Sequence, residues 1–217
     1  MKKQIEITVP NDYSAVTLKQ YLKLQADLKN YEDDVEAQDA FLIYNLTGMT
    51  PEMLVELDEQ TISGIRTDLT KMLSKQDYNV TRTLKIEDVE YGFEPNLSEM
   101  SYGAYLDISK FDTISIDDNW AYIMSILYRP VKKKRGALYE LEKYNGVEPW
   151  DEEKWLNVGM DVHFGCFFFF TRLYKELVSG TLNSLKNQTG ISPNISTILE
   201  RSGETIQQLS TLQEKIY

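Results

Sequence analysis

Residues 164–170 read Phe-Gly-Cys-Phe-Phe-Phe-Phe. At helical periodicity, Phe164 and Phe167 to Phe170 cover most of a helix's circumference. A helix that is apolar all round has no face to give to water. A chain carrying this segment has to surround it. In a monomer the segment is the central helix of a bundle. In an assembly, part of the ring faces a neighbouring subunit. The run is far below the ~20 apolar residues that span a bilayer, so no membrane is expected around it.

The same segment holds the chain's one histidine, His163, and one cysteine, Cys166. They lie a helical turn apart. A metal site needs three or four ligands, and no second His or Cys exists to join them. A Cys–His nucleophile pair needs an exposed, electropositive setting. Cys166 instead adjoins four phenylalanines, where a free thiol acts as a small hydrophobe. We therefore expect core packing, with no catalytic, cofactor-binding or metal-ligating residues and no cofactor. Asp33, Asp34 and Glu36, and Asp151, Glu152 and Glu153, lack the spaced ligands and turn glycine of a calcium loop. Both groups stand at expected helix starts, where negative charge suits the dipole. An enzyme built only on carboxylates and tyrosines is the remaining catalytic reading.

With 217 residues and 42% hydrophobic side chains, the chain can build a full core as one domain or two small ones. Its formal charge of −11 argues against a DNA- or RNA-binding surface and suits basic partners. A lone cysteine implies no oxidising compartment. The opening Met-Lys-Lys-Gln-Ile-Glu-Ile has no apolar signal-like stretch, so the protein is expected to be soluble and to stay where it is made.

Alternation of Ile5, Ile7 and Val9 with polar residues predicts a strand over Lys3 to Val9. Thr17 caps a helix carrying Leu18, Tyr21, Leu22 and Leu28. Glu32-Asp33-Asp34 is a loop or the first turn of a helix that bears Val35, Leu42, Ile43 and Leu46 and ends at Gly48. Thr50-Pro51 starts another helix, and Asp58 caps one with Ile62, Ile65, Leu69 and Leu73 on one face. Val35 to Leu73 thus reads as a compact unit of short helices. Leu84 and Ile86, then Val89, Tyr91 and Phe93, are strand faces whose phase changes at a bulge or turn near Asp88. A short helix over Ser101 to Phe111 carries Tyr102, Tyr105 and Leu106. Asp117 caps a helix with Trp120, Ile123, Met124 and Leu127 that ends before Pro130. Lys132-Lys133-Lys134-Arg135 is the chain's basic cluster, read as a loop. Ala137 to Tyr144 is a short strand or a helical turn. Asp151 caps a long helix reaching about Lys186. Gly190 and Pro193 then separate a last helix, Asn194 to Ile216, with a thin stripe of Ile195, Ile198, Leu209, Leu212 and Ile216.

The expected fold is mainly α with a small β component: a helical bundle around a long aromatic-rich helix, beside a small sheet. Three segments are expected: 1–80, a strand plus short helices; 81–190, a β section and the aromatic helical core; and 191–217, a docking helix. Partner-binding candidates are the C-terminal stripe, Ile195, Ile198, Leu209, Leu212 and Ile216, which suits a groove on another chain. Lys132, Lys133, Lys134 and Arg135 are candidates for an acidic partner.

Two stretches bear on function. Phe41-Leu42-Ile43-Tyr44-Asn45-Leu46-Thr47-Gly48-Met49-Thr50-Pro51-Glu52-Met53-Leu54 resembles the helix, Leu-Thr-Gly, capped-helix element of phage tail-assembly chaperones and related small virion proteins. Tyr105-Leu106-Asp107, then Trp120 to Pro130, then Trp155 to Leu177, is similar to virion-cluster proteins of phages infecting Bacteroidetes, including crAss-like phages. The resemblance implies a non-enzymatic structural or assembly component of a tailed bacteriophage particle. It would be found in the virion or in the cytoplasm of the infected bacterial host. Its partners would be other virion or assembly proteins, with a homo-oligomer also allowed and neither nucleic acid nor membrane involved. The alternative is an intracellular acidic binding protein, such as a nucleic-acid mimic that inhibits a host DNA-binding enzyme.

Overall fold

Helix boundaries follow from caps written into the sequence. In the computed structural model, which describes residues 7–75, 78–94, 96, 100–109 and 119–169, α1 spans Leu18–Asn30 behind a capping box. Gln20 N–H donates to Thr17 Oγ1 at 3.3 Å, and Thr17 N–H donates back to Gln20 Oε1 at 2.9 Å. Asp34 caps α2, Val35–Thr47, by accepting from Ala37 N–H at 2.9 Å. Gly48 ends it at φ 71°, a left-handed position that a glycine occupies without strain. Thr50 and Pro51 open α3, Pro51–Val55, and Asp58 opens α4, Glu59–Leu73. Each of these caps matches its expectation. Val35 does not reach the core; it is 73% exposed.

The chain then forms a four-stranded antiparallel sheet in the order β1, Thr83–Ile86; β2, Val89–Phe93; β3, Tyr128–Arg135; β4, Leu138–Leu141. The phase change near Asp88 is a tight turn at Glu87-Asp88, with Leu84 opposite Tyr91 and Ile86 opposite Val89. Between β2 and β3 lie α5, Tyr102–Ser109, and α6, Trp120–Leu127. Asn119, not Asp117, occupies the cap position of α6; Asp117 falls outside the described residues. The fold is thus mainly helical with a small antiparallel sheet.

Three expectations are corrected. Of the strand expected over Lys3 to Val9, residues 3–6 lie outside the described residues and residues 7–9 form no strand, although Ile7 and Val9 pack half-buried against the core as their alternation implied. The basic cluster is not a loop but part of β3; of the two alternatives for Ala137 to Tyr144, the short strand is the one observed, as β4. The helix expected from Asp151 onward is broken. α7 covers Pro149–Trp155 with Glu148 at its cap position and Asp151 at its third residue. A second helix, α8, is described over 160–169, and its expected continuation to about Lys186 lies outside the described residues.

The break has a tertiary cause. The first N–H groups of α1 have no partner inside the helix. Leu18 and Lys19 donate instead to the carbonyls of Val158 and Leu156, at 3.1 and 2.9 Å, while Met160 N–H donates to Val16 at 2.8 Å. Residues 156–159 are therefore committed to the start of α1. Gly159 sits where a Cβ would lie 2.8 Å from the Ser14 carbonyl oxygen.

Helix α8 lies between two hydrophobic clusters. Met160, Phe164 and Phe167, spaced by four and three, join Tyr13, Tyr21, Ile43 and Leu69 of the N-terminal helices. Val162 and Cys166, from the opposite face, join Tyr91, Phe93, Tyr128 and Trp155 against the sheet and α7. Phe168 and Phe169 are half-buried and pack on these two clusters, one on each. Residues 162–167 are all buried. A run apolar all round thus serves two cores at once.

Candidate functional site

His163 stands where the two clusters meet. It is 0% exposed, with its ring 6.0 Å from Trp120 and 6.3 Å from Trp155 in edge-on geometry. Its Nε2–H donates to the Trp155 carbonyl at 3.3 Å, which fixes the neutral tautomer because a carbonyl only accepts. Burial disfavours the imidazolium and lowers the pKa to about 4. Cys166 is 2% exposed, and burial pushes its thiol well above the ordinary range. The thiolate is the reactive form of cysteine, so this environment suppresses it. Gly165, between them, permits close approach to the segment after α4: a Cβ there would collide with the Asn79 carbonyl oxygen. Both side chains with nucleophilic or acid–base potential are therefore packing elements of a sealed aromatic interior. Among the described residues, no group of three or more His, Cys, Asp or Glu is placed to hold a metal ion.

The accessible candidate is the β3–β4 hairpin. Its base is anchored. Tyr128, the first residue of β3, is 1% exposed and donates its hydroxyl to the Thr81 carbonyl at 2.8 Å. Arg129 pairs with Glu94, and its Nη1 donates to the Glu142 carbonyl at 2.8 Å. The Tyr139 hydroxyl donates to the Phe93 carbonyl at 2.7 Å, and its ring covers Gly92, where a Cβ would come within 2.7 Å of it. Beyond this base the hairpin leaves the core, and residues 132–138 are all exposed. Lys134 pairs with Glu90 on β2, and this hydrogen bond holds the Glu90 carboxyl below its usual pKa. Lys132 and Lys133 both reach Glu140, at 3.8 and 3.9 Å. Arg135 makes no ion pair with any described residue.

Of the partner-binding residues expected from the sequence, Lys132, Lys133, Lys134 and Arg135 are thus brought together on one projecting element. Ile195, Ile198, Leu209, Leu212 and Ile216 lie outside the described residues, as does the 191–217 segment that carries them. A feature the sequence reading missed is the orientation of α5. Tyr102, Tyr105 and Leu106 follow helical spacing, yet they are 74%, 58% and 42% exposed, while Ala104 is buried. The small residues Gly103 and Ala104 were the available signal: Tyr144 packs on Gly103 and hydrogen-bonds Asp107. Trp150 at the start of α7 is also exposed.

No family model matches the chain, and comparison with curated proteins and with solved structures gives no match. Among the described residues, no helix is long and apolar enough to cross a membrane.

Proposed function

We propose that the chain is a non-enzymatic structural or assembly component of a tailed bacteriophage particle, acting through protein–protein contacts. The observation that carries this reading is the burial of His163 and Cys166. The chain's single histidine and single cysteine are locked among tryptophans and phenylalanines, and what it offers to solvent is contact surface. That surface includes Tyr102, Tyr105, Leu106 and Trp150, the kind of amphipathic side chains that anchor interfaces. The sequence resemblance to phage morphogenesis proteins supplies the context, and an acidic surface gives selectivity among partners. Its place would be the virion or the host cytoplasm during assembly.

Mass spectrometry of purified particles and assembly intermediates tests this. The expected result is the chain at a fixed copy number in one of them. Its absence from both, together with salt-sensitive capture of a basic DNA-binding enzyme, would instead select the acidic-mimic reading.

A further inference from the structure

Two exposed turns of opposite charge stand on separate parts of the fold. One is the tip of the β3–β4 hairpin. Between residues 132 and 140 it carries Lys132, Lys133, Lys134 and Arg135 against the single carboxylate Glu140, with Leu138 76% exposed beside them. The other is the α1–α2 turn, residues 31–36, every one of which is exposed. It carries Glu32, Asp33, Asp34 and Glu36 with no cation, and its apolar side chains Tyr31 and Val35 are 45% and 73% exposed. Asp34 is explained as the cap of α2, and Glu36 by the helix dipole. Neither account covers Glu32 and Asp33, which precede the cap. Glu32, Asp33 and Glu36 make no ion pair with a described residue.

Both turns are held by contacts within the chain. Gln38 Nε2 donates to the Tyr31 and Glu32 carbonyls at 2.9 and 2.8 Å, and the Tyr31 ring packs on Phe41 with centroids 4.9 Å apart. The hairpin is clipped at Lys134–Glu90 and at Tyr139. Preorganised surfaces lose little entropy on docking. The helical turn belongs to the cluster around α1, α2 and α4, and the hairpin to the sheet, so no described ion pair joins them within one chain.

We propose that the two turns recognise each other between copies of this chain. Leu138 of one copy seats against Tyr31 and Val35 of the next, while Lys132, Lys133 and Arg135 face Glu32, Asp33 and Glu36. The occupant is fixed by charge complementarity: each turn is the electrostatic counterpart of the other, and each pairs its charges with an exposed apolar side chain. Because the two surfaces differ, the contact either closes reciprocally, each copy's hairpin on the other's turn, into a two-fold dimer, or runs head-to-tail into a ring or an open row of subunits. This does not rest on the proposed function, since the isolated chain suffices to test it.

Sedimentation of the full chain over a concentration series at ~50 mM and ~0.5 M salt reads the contact, because exposed charges are screened across that range. Association at low salt that dissolves at high salt is expected. The triple change Lys132→Glu, Lys133→Glu, Arg135→Glu is expected to leave a monomer. So is Glu32→Lys, Asp33→Lys, Glu36→Lys, with Asp34 and Lys134 kept for their local roles. An equimolar mixture of the two variants is expected to associate again, because each hairpin then meets a turn of opposite sign. A wild-type chain that stays monomeric at low salt overturns the proposal. So does association that survives either reversal, or a mixture of the two folded variants that does not reassemble.

Discussion

Helix α8 and the β3–β4 hairpin each concentrate one kind of side chain, phenylalanine in one and basic residues in the other, and the fold treats them oppositely. In α8 every residue from 162 to 167 is buried, and two faces feed two cores. In the hairpin every residue from 132 to 138 is exposed. The difference decides which groups are available to other molecules. His163 and Cys166, reactive in principle, are in the first region; the basic residues, which act only by attraction, are in the second. Burial, not residue type, sets what each group can do.

The contrast should appear as a gradient of mutational effects. Trp155 is 0% exposed and supports both Tyr91 and Tyr128 at ring distances of 5.9 and 5.2 Å. Trp155→Ala is expected to cost about 3–5 kcal/mol in denaturant unfolding. A cost under ~1 kcal/mol would mean the second cluster is not a packed core.

The Arg129–Glu94 pair at the base of the hairpin comes next, with side chains only 15% and 9% exposed. Arg129→Met leaves a buried carboxylate without its cation, and about 3 kcal/mol of stability should be lost. The double change Arg129→Met, Glu94→Gln is expected to recover much of it. Failure to recover would place the loss in packing and not in charge.

His163 makes the buried region pH-sensitive. Its pKa is about 4 in the fold against an ordinary 6.5, so between those values the unfolded chain binds the extra proton. Stability is therefore fully present above pH ~6.5 and falls as the pH drops toward 4, by roughly 3 kcal/mol at most. Unfolding midpoints measured across this window should show a slope that His163→Gln removes. An unchanged slope in the variant would assign the effect to carboxylates.

The smallest effect belongs to the exposed end of the hairpin. Lys134 and Glu90 are 38% and 39% exposed, so Lys134→Ala is expected to change stability by less than ~1 kcal/mol. An effect as large as that of Arg129→Met would erase the distinction between the two ends of the sheet.

What the sequence discloses follows from where the controlling interaction lies. Thr17, Asp34, Gly48, Thr50-Pro51 and Asp58 act within a turn of themselves, so their roles are readable from local order. The clusters lining α8 are readable because an apolar circumference permits no exposed placement. The break before α8 is not readable, because it depends on residues 156–159 satisfying the N–H groups of Leu18 and Lys19, far away in the chain. β3 is hidden twice. Pro130 normally argues against an interior strand, and lysines report solvation, not backbone conformation. Here Pro130 pairs opposite Tyr91, and an irregularity between Val131 and Lys133 follows it. At residues 7–9 the alternation correctly gave the buried side, but a strand also needs a neighbour, and none of the described strands pairs there. The exposed stripe of α5 shows the same limit: helical spacing marks a face, and tertiary contacts decide which way it turns.

Because the chain has one cysteine, thiol labelling reports on the sealed interior without mutation. In native buffer near pH 8, Cys166 is expected to react with an aromatic disulfide reagent only as fast as the protein unfolds, and to react at once in denaturant. Labelling of the native protein within minutes, at a rate independent of its stability, would contradict the account. It would place the thiol beside His163 at an accessible surface and return the pair to use as chemistry.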